Sequence, residues 1–234
     1  MTKSVTKPAL SLAALGAVLA LLQGTPAEAN NVSFVSNTGS DGNDCTSVAT
    51  ACASLFQAVK QTAAGGEVIV VNAGSYGPQG INDTIFIVNS MSITGDYAGE
   101  ARIVSGTQAI IIQAGAGDVV SLRGLVIEGF GPQGITGIQI ERASAVHIQN
   151  CVIRNFQDTF SSSFGIEFVP NANSQLFVSD TIIYNNGTTS LTGGILVEPQ
   201  AAIRADVVLD RVHWKTTSTV SSSTAPPHPD PAPT

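Results

Sequence analysis

Three stretches of the chain are one template written three times: His147-Ile-Gln-Asn-Cys-Val-Ile-Arg-Asn, Phe177-Val-Ser-Asp-Thr-Ile-Ile-Tyr-Asn and Val207-Val-Leu-Asp-Arg-Val-His-Trp-Lys. Their central residues Asn150, Asp180 and Asp210 recur at one constant spacing. A fourth copy, Ser121-Leu-Arg-Gly-Leu-Val-Ile-Glu-Gly, puts Gly124 in the same slot at a slightly shorter spacing before Asn150. A second series, Ala109-Ile-Ile-Ile, Gly137-Ile-Gln-Ile, Gly165-Ile-Glu-Phe and Gly194-Ile-Leu-Val, runs between the copies at nearly the same spacing. Two interleaved series with one period define a solenoid. Each unit consists of short β-branched runs broken by Gly, Asn and Asp, so the coil is built of strands. Counting at this period from Glu67 to Trp214 predicts about five coils, each with three strands and three corners. Successive coils of such a stack lie ~4.8 Å apart, and equivalent residues form columns along its axis.

The two ends read differently. Lys3 and Lys7, the apolar run 9–22 and the small-residue pattern Ala27-Glu-Ala29 predict a signal peptide over residues 1–29, cleaved between Ala29 and Asn30. The rival reading, an uncleaved anchor, needs an apolar run of about 20 residues. Removing Lys3, Lys7 and Glu28 from the 10 basic and 17 acidic residues leaves 8 and 16, a net charge of −8. That sign excludes nucleic acid and anionic lipid as expected partners. No later segment is apolar and long enough to span a membrane. The chain is therefore expected outside the cytoplasm: secreted, periplasmic or at the cell surface.

An oxidising compartment predicts a disulfide between Cys45 and Cys52. Cys151 takes a repeat position filled elsewhere by Leu125, Thr181 and Arg211, which reads as a packed thiol. The stretch 53–64 carries Leu55, Phe56, Val59 and Ala63 on one helical face, with Gly65-Gly66 as its stop. Residues 30–66 are thus an N-terminal cap that covers the first coil, and residues 67–215 the helix of strands. The stretch 72–78 reads as a turn after the first strand. Residues 216–234, rich in Ser, Thr, Ala and Pro, read as a disordered tail. Arg211 and His213 replace apolar residues of earlier copies, so the last coil looks either dressed with polar groups at an exposed end or cut short.

Asp41-Gly-Asn-Asp-Cys45 through Cys52-Ala-Ser-Leu-Phe-Gln-Ala-Val59, the turn Gly65-Gly-Glu-Val-Ile-Val-Val71, and the repeated x-Ile-x-Asn-Cys-Val-Ile-x-Asn pattern resemble bacterial secreted right-handed parallel β-helix proteins of the pectate-lyase-like superfamily. The likeness covers roughly Asn31 to Trp214. It implies an all-β, right-handed parallel β-helix with a short N-terminal capping helix. That architecture hosts lyases, hydrolases, esterases and adhesins, so it implies no single chemistry. The polygalacturonase-like set Asn-Thr-Asp, Asp-Asp, Gly-His-Gly and Arg-Ile-Lys has no counterpart here. Pectate lyases combine a calcium-binding aspartate cluster with a basic residue. Arg142 and Arg154 are available as bases, without the cluster.

Period-two alternation points Ile138, Ile140, Ile166, Phe168, Ile195 and Val197 inward, leaving Gln139, Glu141, Glu167 and Glu198 outside. Glu167 is one coil from both other glutamates and two positions along the strand. The two spacings combine to roughly 8 Å, which suits an inverting glycosidase's carboxylate pair. The plainer reading is a solvated face of an acidic protein, since no aromatic wall is evident to raise a carboxylate's pKa. Asp180 and Asp210, on adjacent coils, are candidate calcium ligands, although Asx at a β-helix corner commonly serves the turn itself. His147, His213 and His228 form no catalytic or zinc-like spacing. The sequons at Asn31, Asn82 and Asn186 would matter only in a eukaryotic secretory route.

The expected molecule is an exported β-helix associated with a surface or an extracellular polysaccharide, needing no cofactor. The alternatives are a polysaccharide hydrolase or lyase, and a truncated relic of one. The oligomeric state is left open, because an unpaired coil end can stack on another molecule.

Overall fold

In a strand with one buried face, every second residue must be apolar, and stacking such strands in register turns those residues into columns. The computed structural model, which describes residues 29–77, 84–160, 162–188, 192–215 and 221–222, has this arrangement. The chain enters through β1 (Asn30–Val35) and helix α1 (Leu55–Gln61). Six coils of three strands follow. The first is β2 (Thr62–Val70), β3 (Gly74–Ser75) and β4 (Ile85–Ile87), and the second β5 (Met91–Thr94), β6 (Ala101–Ser105) and β7 (Gln108–Gln113). The third is β8 (Val119–Arg123), β9 (Leu125–Gly129) and β10 (Thr136–Arg142), and the fourth β11 (Ala145–Gln149), β12 (Val152–Arg154) and β13 (Phe164–Phe168). The fifth is β14 (Ser174–Ser179), β15 (Ile182–Tyr184) and β16 (Gly193–Val197), and the sixth β17 (Ala205–Asp210), β18 (His213–Lys215) and β19 (Ser221–Ser222).

First strands stack into sheet A together with β1, second strands into sheet B and third strands into sheet C. Every strand pairing among the described residues is parallel, so the fold is a parallel β-helix. There are about six coils rather than five. The step from Val68 to its partner Ile93 is shorter than the repeat predicts, and the last coil runs past Trp214 to Ser222. The expected turn over 72–78 contains β3. The stretch assigned to the tail contributes β19, because a sheet edge offers backbone hydrogen bonds to any residue type.

The core is a set of columns. Ile85, Ile110, Ile138, Ile166 and Ile195 form one, and Ile103, Ile127, Ile153, Ile183 and Trp214 another. Each fully buried isoleucine contributes about 1.5–3 kcal/mol relative to exposure. Glycines allow the rungs to close: a Cβ on Gly137 would stand 2.5 Å from the Gly165 carbonyl oxygen and 2.7 Å from Ile153 Cγ2.

Helix α1 is shorter than the sequence suggests. Ser54 caps its start, its hydroxyl accepting from the Gln57 N–H, and Asp41 in turn accepts from the Ala53 and Ser54 N–H groups. It ends at Thr62, whose N–H and hydroxyl both reach the last carbonyls; Gly65-Gly66 lies inside β2. Leu55, Ala58 and Val59 are buried while Phe56 faces solvent, so the apolar face is rotated from the expected one. The helix packs on β1, β2 and β4 and covers the first coil. Cys45 and Cys52 are joined as a disulfide in the same cap.

The corner from sheet A to sheet B holds the largest correction. Strand register aligns Ser179 with Asp210, so the slot of Gly124, Asn150 and Asp180 is filled by Arg211 and not by Asp210. All four slot residues have positive φ, between 50° and 66°. The slip arises one corner earlier, where Ile195 to Val207 spans two residues more than Ile166 to Leu176. Ala202 turns that longer corner at φ +65°. With the register set, Val212 follows Leu125, Cys151 and Thr181, and Trp214 follows Ile183. The last coil therefore keeps its apolar inward residues.

Candidate functional site

Sheet C carries the acidic face. Gln139, Glu167 and Leu196 are aligned across three coils, and Glu141 and Glu198 lie two residues further along their own chains. The ladder continues past the strand ends: the Asn171 N–H donates to the Glu141 carbonyl at 2.9 Å, and the Gln200 N–H to the Pro170 carbonyl at 3.1 Å. Those bonds bring corner residues beside the strand residues. The result is a shallow groove of about 410 Å³ lined by Gln139, Glu141, Asn171, Glu198, Pro199 and Gln200. A second hollow of about 330 Å³ shares Glu141 and Asn171 with it and adds Gln113 and Arg142. Together they form one polar strip along the coil axis.

Glu167 is half-buried beside this strip, its carboxylate accepting from the Thr136 hydroxyl at 3.3 Å. Burial raises its pKa above the ordinary carboxylate value, and the like charges of Glu198 and Glu141 add to the rise. Burial and paired acids thus supply the perturbation that no aromatic wall provides. Glu141 accepts from the Gln113 amide at 2.8 Å, and Glu198 is exposed. Alternation in the sequence is enough to put the three glutamates on this face. Asn171 and Gln200 escape it because they sit on corners of variable length, reached only through inter-coil hydrogen bonds.

The other candidates are held elsewhere. The Arg142 guanidinium donates to the Ala114 carbonyl at the rim of the strip. Arg154 is on the outer face of sheet B, donating to Glu128 at 3.1 Å and to the Tyr184 hydroxyl at 2.8 Å, so it is engaged in a structural ladder. Burial works to raise the Glu128 pKa, but hydrogen bonds from Arg102, Asn155 and Arg154 outweigh it and hold the pKa below the ordinary range. Asn155 and Asn185 continue that ladder along the corner, with the Asn185 amide donating to Asn155 at 2.7 Å.

Asp180 receives a two-pronged hydrogen bond from Arg211, at 2.6 and 3.0 Å, and Asp210 lies 2.6 Å from the same guanidinium. An arginine thus occupies the place between the two carboxylates, and Arg211 holds the Asp180 pKa below the usual range. Among the described residues no three His, Cys, Asp or Glu side chains gather as a metal-ligand group. Cys151 is fully buried, and burial pushes its thiol up to about 12, where it cannot act as a nucleophile.

His147 stacks on Phe177 on the outer face of sheet A, ring centres 4.8 Å apart. His213 is exposed on β18, and His228 lies outside the described residues. Asn186 is buried, its side chain bonding the Phe156 N–H and the Ile153 carbonyl, which closes it to glycan attachment. Asn82 lies outside the described residues, as does the expected signal peptide apart from Ala29; β1 starts at Asn30. Among the described residues no helix is long and apolar enough to cross a membrane.

Comparisons with protein-family models, with curated proteins and with solved structures found no match. What the groove can hold follows from its own side chains.

Proposed function

We propose that this chain is an exported β-helix of the pectate-lyase-like kind that holds an extended extracellular polysaccharide along the outer face of sheet C, as a binding protein rather than a catalyst. The observation that carries this reading is the continuous strip of amide and carboxylate side chains, Gln113, Gln139, Glu141, Asn171, Glu198 and Gln200, running parallel to the coil axis. Its functional groups recur once per coil, every ~4.8 Å, a repeat that suits a chain of sugar rings. Amides and carboxylates pair with hydroxyl groups, and an open groove admits a polymer without an end. The acid content selects against uronates: a polyanion would meet Glu141, Glu167 and Glu198 in a chain of net charge −7. Neutral glycans are the ligand class that remains. Export is supported by the amino-terminal sequence and the Cys45–Cys52 disulfide.

Affinity electrophoresis against neutral glucans, xylans and mannans, with polygalacturonate as the charged control, tests this. Retardation by a neutral polymer, weakened in Gln139→Ala and Glu198→Gln, is expected. Retardation by polygalacturonate alone, or binding indifferent to both substitutions, refutes it.

A hydrolytic reading is favoured by one observation, the raised pKa of Glu167 between two further glutamates. Reducing-sugar release from the bound polymer, abolished in Glu167→Gln with binding retained, would establish it over simple binding.

A further inference from the structure

We propose that two copies of this chain join end to end through β17, in a closed twofold dimer. The two ends of the coil differ. At the start, α1 covers the first coil and buries Leu55, Ala58 and Val59. At the far end, the inward columns come to the surface. Leu209 shares its column with Leu122, Ile148 and Val178, which are exposed by no more than 1 %, yet Leu209 itself is 41 % exposed. Trp214, in line with the fully buried Ile183, is 43 % exposed, and Val208, which continues the outer-face column of His147 and Phe177, adds an apolar side chain 50 % exposed beside them. Beyond β17 no strand among the described residues pairs with it. An apolar, unpaired edge of this kind recruits another strand.

The charges on β17 say which strand. Arg204, Asp206, Asp210 and Arg211 bracket Val207-Val-Leu. In an antiparallel pairing of β17 with its own copy, inward residues must face inward residues, so only registers that pair positions of equal parity are allowed. Centring on Val207 sets Ala205 against Leu209 and Arg204 against Asp210, the ion pair occurring twice by symmetry. Centring on Val208 instead sets Asp206 against Asp210, and like charges directly opposite are destabilising. The sequence of the strand thus complements itself in one register. Arg204 and Asp210 already pair within their own chain, with Asp206 at 2.9 Å and Arg211 at 2.6 Å, but their side chains remain 77 % and 56 % accessible, so each can be shared across the twofold.

Residues 223–234 hold no apolar side chain of the size such an edge would bury. Ser223-Thr-Ala-Pro-Pro-His-Pro-Asp-Pro-Ala-Pro-Thr234 contains no Val, Ile, Leu, Phe, Tyr or Trp, and proline cannot donate to a strand edge. Because α1 closes the other end, head-to-tail growth is blocked and the assembly stops at two. The twofold that makes β17 antiparallel to its copy also brings the sheet B edge of one molecule to the sheet C edge of the other.

Sedimentation velocity over a concentration series tests this, with circular dichroism melts to confirm that each variant is folded. The wild-type chain should be a dimer. Arg204→Asp and Asp210→Arg should each raise the dissociation constant about tenfold or more, since each sets like charges opposite. Mixing the two variants should restore dimers. One variant then carries an acid at both positions and the other an arginine at both, so opposite charges meet at each of the two sites. Val208→Asp, which leaves those two positions alone and sets an acid opposite Asp206 in the same register, should also weaken association. A monomer at every soluble concentration, an open series of larger species, or a mixture that stays as weak as its components would overturn the proposal.

Discussion

Replacing Asn150 separates the two reasons for an asparagine at a β-helix corner. Its backbone sits in the left-handed region at φ +53°, and its side-chain amide donates to Asp96 at 3.0 Å on the exposed surface. In Asn150→Ala both contributions go. The left-handed conformation costs an ordinary L-residue about 1–2 kcal/mol, and a hydrogen bond contributes about 0.5–1.5 kcal/mol net, at the low end here because water competes. In Asn150→Gly only the bond goes, at a further entropic cost of about 0.5–1 kcal/mol for the freer unfolded chain. Gly124 already occupies this slot one coil earlier, so the geometry accepts glycine. The expected order is wild type, then glycine, then alanine, with glycine about 1–1.5 kcal/mol and alanine about 1.5–2.5 kcal/mol below wild type. At about 2–4 °C per kcal/mol for a chain of this size, the alanine variant's melting midpoint should fall by roughly 3–10 °C. Thermal melts followed by far-ultraviolet circular dichroism read both variants. If glycine destabilises as much as or more than alanine, the side-chain bond decides this position, and backbone strain does not explain the corner column.

Gly137→Ala should be costly for a different reason. Its new methyl would meet the Gly165 carbonyl at 2.5 Å and Ile153 Cγ2 at 2.7 Å, so neighbouring rungs must shift at a cost of typically about 1–3 kcal/mol, and a denaturation midpoint equal to wild type would show that the coils yield freely. Glu167→Gln should make stability less sensitive to pH. The folded pKa of Glu167 lies above the ordinary 4.5, so the stabilisation from the bound proton is complete below that value and is lost as pH rises through the raised one. The advantage of the glutamine variant should therefore grow as pH rises above the ordinary carboxylate pKa, and parallel stability curves for the two proteins would contradict the burial of this carboxylate.

The solenoid is legible because three signals coincide: period-two alternation, glycine at the sheet C strand starts, and Asx at the corners. The terminal coil reads one residue out of place because Arg211, a side chain that seldom adopts positive φ, takes a slot where Asn or Asp stands in the coils before. Asp210 beside it imitates the expected spacing, and nothing local marks the two extra residues near Ala202. The helix end misleads in the opposite direction, since two glycines look like a stop while Thr62 supplies it through its hydroxyl. At the groove, residues on strands are readable from alternation and residues on corners are not, because corner length sets which corner side chain meets which coil.

Corner lengths also bear on the proposed binding face. From sheet A to sheet B the first two coils take longer, unequal steps, Val68 to Ser75 and Ile93 to Arg102, whereas Leu122 to Val126, Ile148 to Val152, Val178 to Ile182 and Leu209 to His213 are all equal. From sheet B to sheet C no two of the steps Ile103 to Ile110, Ile127 to Ile138, Ile153 to Ile166 and Ile183 to Ile195 are equal, and the third is nearly twice the first. From sheet C back to sheet A, Ile85 to Met91 is the shortest step and Ile195 to Val207 the longest, with Ile138 to Val146, Ile110 to Val120 and Ile166 to Leu176 between them. From the third coil on, the A-to-B seam is thus locked by the left-handed residues Gly124, Asn150, Asp180 and Arg211, while both borders of sheet C vary from coil to coil. A seam of fixed length holds register, and loops of varying length shape surfaces. Sheet C, bordered by variable loops on both sides and bearing Glu141, Glu167 and Glu198, is consequently the face on which a change of ligand can be made without disturbing the stack.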